Sequence, residues 1–313
     1  MTAPVLVEVR RGEVVESRHR GSALVLDPGG QTLWQCGDPD AVLLPRSAVK
    51  PLQAAALVEV GLTVTPEHLA LAASSHSGEQ AHLAIVRQML DAAGLALDAL
   101  QTPADLPLGE TARTDWLGAR QAPNPIAMNC SGKHAAMLQA CVANGWTTND
   151  YLRPTHPVQE HILARYADWS GVSVQPVTVD GCGSPLVSTT LRGLATALRR
   201  MFGIDAGQQV LAAMRAHPEL VGGTGREVTR LMRAVQGLVV KDGAEAVWVA
   251  VLPDATVAAV KIDDGAWRAG AVAMAALIDR LVGLPEELSD LVSPAVLGGG
   301  RQVGALTAVG VRF

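Results

Sequence analysis

The sequence predicts an α+β fold in which one antiparallel sheet is assembled from both ends of the chain around a helical middle. Three observations carry this. Strand-like runs fill the first forty residues and return from Ala246. The stretch between them has helical periodicity. The regular alternation of strand and helix that a doubly wound parallel sheet requires is missing. No long linker, internal repeat or low-complexity tract interrupts the chain. Residues 1–313 are therefore expected to form one domain, with strand-rich segments 1–40 and 246–313 packing with a helical region, 47–240.

In chain order, Val5–Val9 and Ser22–Leu26 read as strands. Asp27-Pro28-Gly29-Gly30 predicts a turn before a third strand, Gln31–Cys36, because proline fixes φ and glycine frees it. Helical spacing then predicts Ala48–Val60, Glu79–Ala93, His134–Ala143 (closed by Asn144-Gly145), Val158–Asp168, Val187–Met201, Gln208–Arg215 and Glu227–Val239. Lys241-Asp242-Gly243 reads as an ordinary turn. Ala246–Leu252 and Thr256–Ile262 flank Pro253-Asp254-Ala255 as a hairpin, and a helix over Gly270–Val282 precedes a terminal strand, Leu306–Phe313. The clusters Gly222-Gly223-Thr224-Gly225 and Gly298-Gly299-Gly300 lack nucleotide-binding spacing and read as loops.

Composition excludes several classes. A formal charge of −5 with no basic run argues against nucleic acid as a partner. Hydrophobic content of 49% against 18% charged residues argues against disorder. A chain this long buries about three quarters of its unfolded surface, so a large core is available. The N-terminus reaches Glu8 and Arg10 early, unlike a signal peptide. The longest apolar run, Ala269–Ile278, is short of the about 20 residues that a membrane helix needs. Cys36, Cys130, Cys141 and Cys182 do not make a disulfide framework in a chain of this length. A soluble, cytoplasmic protein is expected. Lysine is scarce: Lys50, Lys133, Lys241 and Lys261 are the four, and 21 of the 25 basic residues are arginine. Coding bias alone explains scarcity, but a buried lysine can become a base and a guanidinium cannot.

Four segments could carry chemistry. Arg46-Ser47-Ala48-Val49-Lys50 precedes Pro51, so Ser47 and Lys50 stand at a helix entrance three residues apart. A desolvated lysine there could take the proton of a serine nucleophile; chance and capping are the plain alternative. Ala73-Ser74-Ser75-His76-Ser77-Gly78-Glu79 offers a second hydroxyl or an oxyanion donor, or simply a helix cap. Asn129-Cys130-Ser131-Gly132-Lys133-His134 and Asp180-Gly181-Cys182-Gly183-Ser184-Pro185 each hold a thiol that could ligate a soft metal such as zinc, or remain a separate buried residue. Lys261 lies inside an apolar strand, either ending at its rim or pointing into a site.

In order, Ser-x-x-Lys at 47–50, Ser-x-Lys at 131–133 and a strand lysine at 261 resemble the layout of serine β-lactamases and penicillin-binding proteins. The departures are Ile-Asp after Lys261 and lysine where Ser-x-Asn is usual. The segments RSAVKPLQA, SSHSGE, NCSGKHAAM, HPVQ, DGCGSP, HPELVGGTGR and VKIDDG resemble, in order and over essentially the whole chain, the rhizobial-type or class 3 L-asparaginases, the asparaginase II family.

That resemblance implies a penicillin-binding-like fold, hydrolysis of L-asparagine to L-aspartate and ammonia, and a homodimer. It implies two serine–lysine pairs, Ser47 with Lys50 and Ser75 with Lys261. It further implies a zinc site with ligands Cys130, Lys133 and Cys182, supported by Asp180. Arg46 and His134 are candidates for holding the substrate α-carboxylate by neighbourhood. Ser47 is expected to be the nucleophile, with Ser75 as the alternative. A glutaminase, β-lactamase or esterase on the same fold is the nearest rival, and a non-catalytic metal sensor is a more distant one.

Overall fold

Strands from the two ends of the chain meet in one antiparallel sheet, in a computed structural model that describes residues 2–173 and 176–311. Contacts divide the chain into two units: Met1–Ala48, Thr189–Arg199 and Arg230–Phe313 form the first, and Val49–Ser188 and Arg200–Thr229 the second. In the first unit the strand order is Ala295–Gly298, Arg301–Ala308, Val5–Arg11, Val14–Leu26, Val257–Ile262, Val247–Val251, Val239–Gly243. Thr32–Cys36 pairs with Val14–Leu26 as well. Val14–Leu26 serves two neighbours in turn, facing Val5–Arg11 up to Arg20 and Val257–Ile262 from Gly21 onward. A Cβ on Gly21 would stand 2.0 Å from the Lys261 carbonyl oxygen, so this change of partner requires glycine. The helix Trp267–Val282 packs on this sheet with Val272, Ala273, Met274, Leu277 and Ile278 buried.

Local signals mislead at four places along the chain. The helix expected over Glu227–Val239 ends at Ala234. The segment read as a turn at Lys241 belongs to the strand Val239–Gly243, in register from Val239 opposite Val251 to Gly243 opposite Val247. Pairing and full burial override the turn chemistry of Asp-Gly. The helix expected from Val187 begins at Leu191, because Pro185–Val187 and Thr189–Thr190 are short strands. The last strand is Arg301–Ala308; residues 312–313 of the expected one lie outside the described residues.

The second unit is mainly helical. Proline stands in the first turn of Lys50–Glu59, Pro66–Ala72 and Pro157–Ser170, where its missing N–H costs nothing. The Thr65 hydroxyl accepts from His68 N, and the His156 ring accepts from Val158 N. Gln80–Ala92, Glu110–Gly118 and Asp205–Ala216 complete the longer helices of this unit, apart from Ser131–Ala143. That helix starts three residues before the expected His134 and is buried continuously from Ser131 to Leu138. It packs against Lys50–Glu59, Pro66–Ala72, Gln80–Ala92 and Pro157–Ser170. A Cβ on Gly132 would lie 2.6 Å from Leu71 Cγ, so a small residue sets this approach. Among the described residues no helix is long and apolar enough to cross a membrane.

Lys241 is a fully buried cation in the strand Val239–Gly243. Its Nζ donates to Asp242 Oδ1 at 2.6 Å and to the Asp242 carbonyl at 2.5 Å, with the two side chains 0% and 2% exposed. Removing one member of such a pair strands a buried charge. Lys241→Met is expected to lower unfolding stability by about 3 kcal/mol, and Lys241→Met with Asp242→Leu by less. Denaturant unfolding checks this; a single variant as stable as the parent would show that the pair is dispensable.

Candidate active site

In the second unit Lys50, 1% exposed, begins its helix and reaches back to the segment after Pro66–Ala72. Its Nζ donates to the Ser74 carbonyl at 2.5 Å and to Ser75 Oγ at 3.1 Å. The Ser75 segment is extended and held from both sides. Ser75 N donates to Val221 O, His76 N to Asn129 O, and Ser77 N to Gly222 O.

His76 and His82 stack behind Ser75 with ring centroids 5.2 Å apart. Gly78 N donates to His76 Nδ1, so the ring proton sits on Nε2, which donates to Ser131 Oγ at 2.9 Å. Ser131 Oγ in turn donates to Ile126 O. His82 has the same tautomer, its Nδ1 accepting from Glu79 N and its Nε2–H donating to Glu219 O. Burial, with His82 and Lys50 close by, pushes His76 well below the usual imidazole range and keeps it neutral.

The cysteine segments also meet in this unit. Cys130, Lys133 and Cys182 are all at least 97% buried, and Cys130 and Cys182 share a small cluster with Met128. Lys133 Nζ donates to Cys182 Sγ at 3.2 Å and to Ser184 Oγ at 2.8 Å. The hydrogen bond from Cys130 holds the Cys182 thiol far below its ordinary value; burial opposes this, and the Lys133 cation and His134 add to it. Cys130 moves the other way, well above the usual range, because its proton serves that thiolate and it is buried. Burial works against the Lys133 charge, but the two sulfurs outweigh it and its ammonium is favoured. The cluster is thus an ammonium beside a thiol–thiolate pair.

His134 supports it from behind. Gln101 N donates to the Tyr151 hydroxyl, which can then donate to His134 Nδ1 at 2.7 Å. Nε2 faces Ser184 Oγ at 3.4 Å, and the ring lies within hydrogen-bonding reach of Cys182. Asp180 N donates to Ser184 O, and the Asp180 carboxylate accepts from Gly181 N. Tyr151 and Ser184 were not singled out as site residues by sequence reasoning. Tyr151, one of only two tyrosines, is fully buried, and its rarity was the one available signal.

In the first unit, Arg46 and Ser47 are half-buried in the turn Arg46–Val49 that leads into the Lys50 helix. Arg46 has φ +49°, a left-handed conformation rare for such a residue. Lys261 Nζ donates to Glu245 O at 2.7 Å and to Ile262 O at 2.5 Å. Burial lowers the Lys261 pKa; Glu245, Asp263 and Asp264 partly offset it. Of the expected site residues, the structure thus brings Lys50 to Ser75, and Cys130, Lys133, His134 and Cys182 to one another. Among the described residues no group of three or more His, Cys, Asp or Glu could hold a metal ion; the expected set has lysine as its third member.

The chain belongs to the L-asparaginase II family, whose sequence pattern it matches over residues 7–308. No curated protein matches it. Among solved structures it is similar to the native form of Mglu, at 12% identity and TM-score 0.48, covering 84% of this chain and 64% of that one. It is similar also to a β-lactamase from Mycobacterium bovis, at 15% identity and TM-score 0.37, covering 83% of this chain and 94% of that one. A third is a mutant of simvastatin synthase from Aspergillus terreus, at 13% identity and TM-score 0.39, covering 78% and 85%. Family membership rests on the sequence match.

Tyr151→Phe leaves Gln101 N and His134 Nδ1 facing a ring edge. Losing those partners is expected to cost about 1–3 kcal/mol in denaturant unfolding. An unchanged midpoint would show that the hydroxyl is not needed to hold His134.

Proposed function

We propose that this chain is an L-asparaginase, which hydrolyses the side-chain amide of L-asparagine to L-aspartate and ammonia through a serine activated by lysine. The observation that carries the reading is the buried Lys50 Nζ, 3.1 Å from Ser75 Oγ, in a chain of the L-asparaginase II family. Ser47 Oγ, three residues before Lys50 in the chain, attacks the amide carbonyl carbon, and its proton passes to the Lys50 amine. As the tetrahedral adduct collapses, the carbon–nitrogen bond breaks and the amide nitrogen leaves as ammonia, taking its proton from Lys50 by way of Ser75. Water then attacks the aspartyl ester, and Ser47 recovers its proton as aspartate departs. Lys261, disposed by burial toward the free amine, is the second base.

Arg46 is the group proposed to hold the substrate α-carboxylate. His134, first a candidate for the same task, is enclosed, with both ring nitrogens engaged. It is better suited to holding Cys182 in place.

The donor chemistry of Cys130, Lys133 and Cys182 fits a soft cation such as zinc, since two buried sulfurs and an amine converge and one sulfur is already a thiolate. Cys130 and Lys133 would each release a proton on ligation, which makes affinity rise with pH. The chemistry a zinc ion supplies in such a set is Lewis-acid polarisation. Asp180 would support the cluster through its loop.

Ammonia release from asparagine and glutamine tests the reading. Asparagine is expected to be the better substrate, and Ser47→Ala to lower kcat by about a thousandfold or more. Preference for glutamine, or loss of activity in Ser75→Ala with none in Ser47→Ala, would reverse the assignment. A second measurement concerns Lys261. Asp263 raises its pKa, so Asp263→Asn lowers it and leaves the amine free at lower pH. The acid limb of kcat/KM is expected to move to lower pH; a limb that stays or moves upward removes the Lys261 amine from that limb.

A further inference from the structure

The segment from Ser74 to Glu79, between the helices Pro66–Ala72 and Gln80–Ala92, has no regular secondary structure. Its backbone is tied to Val221, which ends the short helix Pro218–Val221, to Gly222 just after it and to Asn129 in a turn. Lys50 holds the Ser74 carbonyl and the Ser75 hydroxyl from its own helix, but none of these bonds reaches the helix Ser131–Ala143. The His76 ring supplies a rigid tie. It is 0% exposed, stacked on His82, and both nitrogens have one fixed role each. Its Nε2–H ends on the hydroxyl of Ser131, the first residue of the helix that carries Lys133 and follows Cys130. Hydrogens therefore run one way, from Gly78 N through the imidazole and Ser131 Oγ to Ile126 O. Each donor has one acceptor, so no rotation of Ser131 can satisfy the chain differently.

We propose that His76 is a positioning residue for amide hydrolysis, registering the Ser75 segment on the helix Ser131–Ala143 through its Nε2–H bond to Ser131 Oγ. This rests on the reading of Ser75 as part of the reaction. His76 touches no substrate and moves no proton in this role. It holds the Ser75 hydroxyl where Lys50 meets it, in fixed relation to Lys133 on the helix Ser131–Ala143.

Three variants test it alongside the parent enzyme. His76→Leu removes the donor, Ser131→Ala removes the acceptor, and His76→Gln keeps an N–H at the position of Nε2. In the first two, kcat for asparagine is expected to fall about tenfold or more, because a small misplacement of a reacting group is that costly. KM should stay within about twofold, and the double variant His76→Leu with Ser131→Ala should be no slower than the slower single one, since both break one contact. His76→Gln should recover most of kcat at a melting temperature no higher than that of His76→Leu. Full kcat in Ser131→Ala, which removes a single oxygen, overturns the proposal even where His76→Leu fails to fold. So does a His76→Gln enzyme no faster than His76→Leu, which would reduce the ring to core packing. A parent protein that releases no ammonia from either amide would instead overturn the asparaginase reading.

Discussion

The contact on which the second unit depends is the one between the Lys133 ammonium and the Cys182 sulfur, 3.2 Å apart and shut off from water. Either charge alone in such a place would cost several kcal/mol, and the pair holds only if its remaining hydrogen-bonding capacity is met. The surroundings supply that. Ser184 takes another Lys133 proton, Cys130 and His134 serve the thiolate, and Tyr151 fixes His134. Gly132 is part of the same constraint. Only without a side chain can the helix start come close to Leu71 and bring Lys133 inside.

The other lysines obey the same rule. Lys241 is paired to Asp242, Lys50 donates to a carbonyl and a hydroxyl, and Lys261 donates to two carbonyls. Arginines meanwhile make forked contacts near the surface, as Arg192 does with Asp40, Arg230 with Asp290 and Arg165 with Glu59. A planar guanidinium with five donors suits such a fork and cannot be enclosed where only two or three acceptors converge. The composition thus has a physical counterpart. Arginine occupies carboxylate forks near the solvent, and lysine stands where an amine has to be desolvated.

This division was partly legible in the sequence. The sheet from both ends could be read because apolar runs at 5–9 and 257–262 carry their own signal, and the helices Lys50–Glu59 and Pro157–Ser170 because apolar residues recur there at helical spacing; the short helix Pro66–Ala72 was not expected. Lys241 could not be read. A charged residue beside Asp-Gly looks local, whereas its partner strand, Val247–Val251, and its burial are tertiary facts. The meeting of Cys130 with Cys182 across about fifty residues left no spacing signature; two reactive thiols allowed a shared soft-metal site, and the family resemblance alone favoured it over two separate buried residues. The first half of Val14–Leu26 escaped because Glu16 to Arg20 is almost wholly polar. Its register with Val5–Arg11 creates the strand. The role of Tyr151 rests on side-chain hydrogen bonds between remote segments, which have no periodicity to detect.

Backbone strain in the first unit follows from the same economy of space. Arg46, Glu245 and Ala246 all have positive φ without being glycine, at a cost of order 1–3 kcal/mol each. Such conformations persist only where the surroundings leave no other choice. At Arg46 the reason is the strand end at Gly243: a Cβ there would be 2.9 Å from Ala48 N and 3.2 Å from Ser47 N, so the turn carrying Ser47 is pressed onto bare backbone. At Glu245 and Ala246 the left-handed pair closes the hairpin between Val239–Gly243 and Val247–Val251. It turns the Glu245 carbonyl to Lys261 Nζ and the Ala246 carbonyl to Ile262 N. Relaxing either turn would move Ser47 off its backing or take a carbonyl from Lys261. The strain therefore sits beside Ser47 and Lys261, and the sheet beneath them is what sustains it.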